Sequence, residues 1–279
     1  ASEEMFTSSA GELIFDQEIA TPHLIKLRST PGTIYIPDDL TVGTWDSDSR
    51  VYTLTTNVND QIVIRESNLT LDGSGFTVSA PVSGVGDGIY IFSQSNVTIE
   101  NITVQNFQHG IQAFMSNEIT VTDTSVLSNK YHGVFFNYAN DGNIQQNTLN
   151  NNGYSSVGWG SGQIYLRQSD YNNIDGNVID SSVDPDPSIT VNKGIFLEDH
   201  CDYNIITNNI VQRQIYGVNL HYYSSHNTVM NNTMDRCLAG MEIYANGEYN
   251  EVRENILSNN NGVGINLRRY CRYNTIVNN

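Results

Sequence analysis

One short pattern, an apolar residue, a variable residue, a second apolar residue and then a polar or charged one, recurs between Gln163 and Arg269. Its copies are Ile164-Tyr165-Leu166-Arg167, Ile195-Phe196-Leu197-Glu198, Val218-Asn219-Leu220-His221, Met241-Glu242-Ile243-Tyr244 and Ile265-Asn266-Leu267-Arg268. In a strand, side chains alternate faces, so the first and third residues point to a core and the second and fourth to the surface. A chain that repeats such a strand buries each apolar pair by stacking the copies. Stacking then lines the fourth residues up as a column, Arg167, Glu198, His221, Tyr244 and Arg268, a choice of residues suited to a site.

The repeat runs further than these copies. Another strand aligns as Asn96 to Ile99, Glu118 to Val121, Asp141 to Ile144, Tyr171 to Ile174, Tyr203 to Ile206, His226 to Val229, Tyr249 to Val252 and Tyr273 to Ile276. Their last apolar residues are spaced 22, 23, 30, 32, 23, 23 and 24 apart. Units of this length, with three short strands each and no helical periodicity, predict an all-β chain: a parallel β-helix over residues 61–279. Residues 1–60 lack the repeat and read as an N-terminal cap, with short strands at Thr33 to Ile36 and Val51 to Thr56. Asn147, Asn177, Asn209, Asn232, Asn255 and Asn279 share one position of the unit, and Asn204, Asn227, Asn250 and Asn274 another. Stacked amides at a turn hydrogen-bond along the stack, so these columns read as structural. Gly110, Gly133, Gly194, Gly217, Gly240 and Gly264 precede the third strand, where a bend with positive φ is expected.

Composition narrows the partners. With 30 acidic and 13 basic residues the formal charge is −17, which opposes binding to nucleic acid or to an anionic membrane. No run of about 18 apolar residues provides a membrane insertion. An acidic, Asn- and Thr-rich chain suits an extracellular or cell-surface setting. The three cysteines, Cys201, Cys237 and Cys271, lack metal-ligand spacing and read as small buried or turn residues. Because the final Asn278-Asn279 falls inside a rung pattern, further domains C-terminal to Asn279, or another capping element, are expected.

Units such as Tyr203 to Leu220 (YNIITNNIVQRQIYGVNL) and His226 to Ile243 (HNTVMNNTMDRCLAGMEI) resemble those of right-handed parallel β-helix repeat proteins. That group includes the NosD copper-accessory family, uronan C5-epimerases and polysaccharide lyases. The resemblance covers roughly residues 60–279 and implies the right-handed coil together with action on a polysaccharide. The Tyr-Gly-Phe-Asp-Pro-His signature of mannuronan epimerases is absent, and Asp184-Pro185-Asp186-Pro187 is only a superficial echo of it. The Met- and His-rich pattern of a dedicated copper site is absent too.

Two adjacent units carry insertions. Between their second and third strands most units have 7 or 8 positions, but Leu149 to Ile164 spans 15 and Ile179 to Ile195 spans 16. These loops, at about 150–161 and 180–192, bring Tyr154, Trp159, Asp184, Asp186 and Lys193 to one corner, where they should wall a long groove fit for a polymer. Outward aromatics on the third strand, Phe92, Phe114, Phe135, Tyr165, Phe196 and Tyr244, with Tyr138, Tyr222 and Tyr223 just beyond, are expected either to stabilise the sheet face or to form a platform for sugar rings.

Catalytic candidates are therefore Arg167, Glu198, His221, Tyr244 and Glu242, and substrate-binding candidates are Tyr165, Phe196, Asp199, Tyr222, Lys193, Trp159 and Arg268. Two chemistries suit them. In a uronan lyase or C5-epimerase, an arginine neutralises the carboxylate, His221 takes the C5 proton and Tyr244 or Tyr222 supplies one. In an inverting glycoside hydrolase, Glu198 and Glu242, two rungs or roughly 9.6 Å apart, form the carboxyl pair. An Arg167–Glu198 ion pair would make the column merely structural, and a non-catalytic glycan-binding or structural surface module is the remaining alternative. No cofactor is required, although Asp180, Asp184 and Asp186 offer hard oxygen ligands for calcium. His109 and His132, each directly before a column glycine, read as turn histidines in preference to a metal pair. Arg268, Arg269 and Arg272 form a basic cluster that either meets an anionic substrate or caps the last rung.

Overall fold

The computed structural model describes residues 32–155, 160–182, 185 and 192–279, together with the short antiparallel strands Phe6–Thr7 and Leu13–Ile14. Trp159, Asp184 and Asp186 lie outside these residues, so the wall expected from both insertions can be followed only at its ends.

The described chain is a right-handed parallel β-helix of three sheets with 11, 8 and 10 strands. Each turn contributes one strand to each sheet and pairs with the turn before and after it. The ten-stranded sheet, called the site sheet below, holds all the repeated tetrapeptides. It runs from Thr33–Ile36 and Gln61–Ile64 through Asp87–Phe92, His109–Phe114, His132–Asn137, Ser161–Arg167, Asn192–Glu198, Tyr216–His221 and Ala239–Tyr244 to Ile265–Arg268. Part of the region without visible repeat already belongs to the coil, since Thr33–Ile36 pairs parallel with Gln61–Ile64 and Val51–Leu54 with Leu69–Asp72. An antiparallel strand, Gly43–Asp46, closes the edge of the 11-stranded sheet.

The core follows from the alternation. Ile164, Leu166, Ile195, Leu197, Val218, Leu220, Met241 and Ile243 are fully buried, as are Ile174, Ile206, Val229 and Val252 from the 11-stranded sheet. At about 25 cal/mol per Å2 of apolar surface, each such side chain contributes about 2 kcal/mol.

Amide ladders hold the turns. From Asn147 through Asn177, Asn209, Asn232 and Asn255 to Asn279, each Nδ2 donates to the next Oδ1 at 2.8 to 3.1 Å. A second ladder runs from Asn172 through Asn204, Asn227 and Asn250 to Asn274 at 3.0 to 3.2 Å. Each Oδ1 also accepts the backbone N–H of the preceding rung, as Asn209 does for Asn177 at 2.9 Å, so the turn is hydrogen-bonded although it is buried. In the rung that carries the first insertion, Gln163 replaces both a glycine and an asparagine. It stands where its neighbours have glycine, and its Oε1 accepts Asn152 Nδ2 at 2.7 Å.

The column glycines correct the expectation of positive φ. None of Gly110, Gly133, Gly194, Gly217, Gly240 or Gly264 has it. Space demands them instead: a Cβ on Gly217 would lie 2.5 Å from the carbonyl oxygen of Gly240, and one on Gly194 2.5 Å from that of Gly217. Positive φ is carried by turn residues with side chains, among them Tyr171, Tyr203, His226, Tyr249 and Tyr273, whose rings stack at the corner with centroids 4.8 to 5.1 Å apart.

Candidate functional site

Strand pairing aligns the site residues as the repeat predicts. Arg167 faces Glu198, Glu198 faces His221, His221 faces Tyr244 and Tyr244 faces Arg268. A second outward column beside this one reads Phe135, Tyr165, Phe196, Asn219, Glu242 and Asn266. A third contains His109, His132, Gly162, Lys193 and Tyr216.

The two aromatics expected as open sugar platforms are buried. Tyr165 is 4% and Phe196 0% exposed, and with Phe135 they form a separate apolar cluster on the outer face. Their rings stack on one another at 5.0 and 4.9 Å, and Lys193 Nζ lies 3.3 Å above the Phe196 ring. Ring faces that cover each other are not available to a sugar. Phe92 and Tyr138 do remain exposed, further along the sheet.

Around this cluster lies a polar network. The Tyr165 hydroxyl donates to Glu198 Oε2, and the other oxygen of that carboxylate is 3.8 Å from His221 Nδ1. Glu242 is held from several sides: Asn266 Nδ2 donates to it at 3.0 Å, Asn219 Nδ2 at 3.3 Å, and Arg268 Nη1 lies at 3.5 Å. Both glutamates are only 3% exposed. His221 keeps 18% of its side-chain surface, with its ring stacked on Tyr244 at 4.5 Å and met edge-on by Tyr222 at 4.2 Å. Nδ1 of His221 and Oδ1 of Asn219 are buried without a hydrogen-bond partner.

Arg167 pairs with Asp199 at 3.8 Å, in place of the Arg167–Glu198 pair of the structural alternative. Asp199 itself has φ +61 and also meets His200 at 3.0 Å, so it belongs to the turn beyond the strand. Arg268 and Arg269 both approach the Tyr244 ring, at 5.6 and 5.0 Å.

Burial sets the protonation states. It pushes His221 down to about 4, with the Lys193 charge adding to the effect, so the imidazole is neutral at pH 7. Burial lowers Lys193 to about 8, partly opposed by Glu198 and Glu242. It also raises Glu198, against the hydrogen bond from Tyr165 and the charges of Lys193 and Arg167. The Tyr165 and Tyr216 hydroxyls are raised by burial and then by Glu198 and Glu242 respectively.

His109 and His132 are stacked rings, centroids 4.9 Å apart, and His132 Nδ1 accepts the Gly162 N–H at 3.3 Å. Among the described residues no three His, Cys, Asp or Glu side chains are grouped to hold one metal ion. All three cysteines are free; Cys201 and Cys237 are buried, and the Cys201 thiol donates to the Glu198 carbonyl at 3.3 Å.

Sequence reading missed Tyr216, Asn219 and Asn266 as members of the network. Asn219 and Asn266 occupy the variable second position of the repeated tetrapeptide, beside Glu242, so the strand register alone was enough to place them.

A family model described as "Periplasmic copper-binding protein (NosD)" matches residues 47–236 and 189–279. Several solved structures share the fold. An alginate lyase from Paenibacillus sp. str. FPU-7 is 14% identical, with TM-score 0.51 over 82% of this chain and 98% of that one. The periplasmic alginate epimerase AlgG is 10% identical, with TM-score 0.53 over 89% and 84%. A DFA-IIIase from Arthrobacter chlorophenolicus A6, without its lid and in complex with GF2, is 10% identical, with TM-score 0.58 over 77% and 65%. No curated protein sequence matches the chain.

Proposed function

This chain belongs to the NosD family, and we propose that it acts outside the cytoplasm, in a periplasmic or extracellular space, as a lyase or C5-epimerase of a uronic-acid-containing polysaccharide. The observation that carries the proposal is His221: a neutral, partly exposed imidazole in the middle of an outward column, with the rings of Tyr222 and Tyr244 against it and Arg167 and Arg268 two rungs to either side. The folds of an alginate lyase and an alginate epimerase support it as analogues of architecture.

A uronate's C5 proton is acidified when its carboxylate meets positive charge, because that charge stabilises the carbanion-like state. Lys193, whose charge reaches His221, supplies it at the reacting unit, and Arg167 and Arg268 stand two rungs to either side. His221 accepts the C5 proton, and the C–H electron pair becomes either the C4–C5 double bond, with departure of the O4 substituent, or a carbanion that is reprotonated on the opposite face. Tyr244 or Tyr222 delivers the proton to the leaving oxygen or to C5. Glu198, beside His221 Nδ1, orients the ring.

Burial separates this reading from the hydrolase one. Glu198, within the column, and Glu242, in the column beside it, are both buried, and Glu242 is saturated by Asn219, Asn266 and Arg268, a poor arrangement for a carboxyl pair that must touch a glycosidic oxygen and a water. The copper named in the family description finds no fitting donor set among the described residues. The stacked His109 and His132 turn ring faces toward each other, Cys201 and Cys237 are buried in hydrogen bonds to carbonyls, and Met234 and Met241 are core residues.

The test is incubation with a panel of uronans and neutral glycans, following unsaturated-product absorbance, reducing ends and exchange of the C5 proton. Unsaturated product or C5 exchange is expected. New reducing ends without unsaturation would move the protein to the hydrolases, and binding without turnover would make it a glycan-binding module.

A further inference from the structure

The exposed column carries a charge pattern along its length. Arg167 lies two rungs before His221 and Arg268 two rungs after it. At about 4.8 Å per rung, each guanidinium strand position is about 9.6 Å from that of the imidazole. The rungs between are acidic: Glu198 and Asp199 on one side, Glu242 beneath Tyr244 on the other. The only ammonium in those two rungs, Lys193, is flanked by Glu198 and Glu242, whose charges both act on it. By strand position the sequence is therefore basic, acidic, neutral, acidic, basic, centred on His221, with each arginine leaning on a carboxylate of the rung inside it, Arg167 on Asp199 and Arg268 on Glu242.

A pyranose unit in an extended 1,4-linked chain advances by about the length of one rung. From this match we infer that the substrate bears a carboxylate on every second sugar: a uronic acid alternating with an uncharged residue, held with a uronate at His221 and uronates two units away at Arg167 and Arg268. The inference rests on the lyase or epimerase reading of the same site. In a polymer charged on every unit, the sugars next to the reacting one would set their carboxylates against rungs that already hold Glu198, Asp199 and Glu242. Like charges at that range are unfavourable, and the formal charge of −17 adds to the repulsion. Arg167 has the geometry for such a contact: its side chain keeps 40% of its surface, and its ion pair to Asp199 is long at 3.8 Å.

Binding tests the spacing independently of turnover. Calorimetric titration would compare size-matched oligosaccharides of five or more units, one alternating uronic acid with N-acetylhexosamine and one of uronic acid throughout. The alternating oligomer is expected to bind at least about tenfold more tightly. Arg167→Ala and Arg268→Ala should each weaken it about fivefold or more, while a trisaccharide with a single, central uronate, whose ends reach only the rungs next to His221, should be indifferent to both substitutions. Equal or tighter binding of the homopolymer overturns the alternation. If the alternating oligomer binds as expected but no uronan is turned over, the spacing stands and the catalytic reading falls; if neither oligomer binds, both fall.

Discussion

Oε1 of Glu198 lies 3.8 Å from Nδ1 of His221, while its partner oxygen accepts the Tyr165 hydroxyl. The carboxylate is thus fixed from one side and faces the imidazole from the other, beyond hydrogen-bond distance but near enough for its charge to favour a proton on Nδ1 and leave Nε2 as the acceptor. His221→Ala should lower kcat by about 10^2 to 10^4, the usual range for a general base, with the far-ultraviolet spectrum unchanged. Glu198→Gln keeps the Tyr165 contact but loses the charge, and is expected to lower kcat less than His221→Ala does while shifting the acid limb of the pH profile. Activity that survived the double substitution would sink the assignment.

The pH dependence of catalysis follows from the same burial. His221 must be unprotonated to act, and burial places its titration at about 4, so kcat/KM should stay high through neutrality and fall as pH drops through that value. Lys193 titrates at about 8 and lends positive charge to the site only below it. A decline above about pH 8 that disappears in Lys193→Met would assign the alkaline limb to this residue.

Stability should also fall in acid. In the folded chain His109 and His221 titrate at about 4 and His132 well below its ordinary value, all because burial disfavours the imidazolium. Between 6.5 and those values the unfolded chain binds more protons, so the stability these groups contribute is present above 6.5 and is lost as pH falls toward 4. Asp87 acts in the opposite sense. Burial raises it to about 6, so its contribution is present below 3.8 and lost as pH rises through 6. Tm measured at pH 7 and pH 5 should show a net drop, smaller in His109→Gln, whose parent Nδ1 has no hydrogen-bond partner to lose.

The strand register was legible because the tetrapeptide alternates strictly, and one residue of slip would turn Ile195 and Leu197 out to solvent. That is why the column from Arg167 to Arg268 was correct to the residue. The misreadings concern what an outward face means. Tyr165 and Phe196 do point outward, yet a flat parallel sheet packs its outer columns as tightly as its core, with Tyr165 on one face of the Phe196 ring and Lys193 on the other. Glu198 and Glu242 are buried on the outer face for the same reason. Single-chain periodicity records direction, whereas exposure depends on neighbours many residues away in sequence, such as His132 against Tyr165 at 4.5 Å.

The amide ladder makes a thermodynamic prediction. Asn209 accepts two hydrogen bonds from Asn177 and donates to Asn232, to the Ile174 carbonyl and to the Thr207 carbonyl, all at 2.9 Å. Asn209→Ala would leave these buried partners unmet, and at about 1 to 3 kcal/mol for each unsatisfied group it should cost on the order of 3 kcal/mol or more. Asn208→Ala, one residue earlier with φ +56 and an exposed side chain that donates to Asp175 Oδ1 at 2.7 Å, should cost about 1 kcal/mol, mainly through its left-handed backbone because the lost hydrogen bond is replaced by water. Urea denaturation of the pair would separate amide stacking from backbone conformation.

The column glycines allow a sharper contrast within one repeat position. A methyl group on Gly217 would meet the Gly240 carbonyl oxygen at 2.5 Å and Met234 Cγ at 2.8 Å, contacts that only a displacement of the next rung can relieve. Since the carbonyl belongs to the ladder that pairs Tyr216–His221 with Ala239–Tyr244, moving it weakens the strand pairing that carries His221 and Tyr244. Gly217→Ala is therefore expected to destabilise by about 3 kcal/mol or more and to reduce activity in step. Gly264→Ala occupies the equivalent position with nothing within 4 Å of the new Cβ, and its φ is not positive, so it should stay within about 0.5 kcal/mol of the parent. If both substitutions were equally harmful, the glycines would be serving backbone conformation and not the space between rungs, and the explanation from close approach would be wrong.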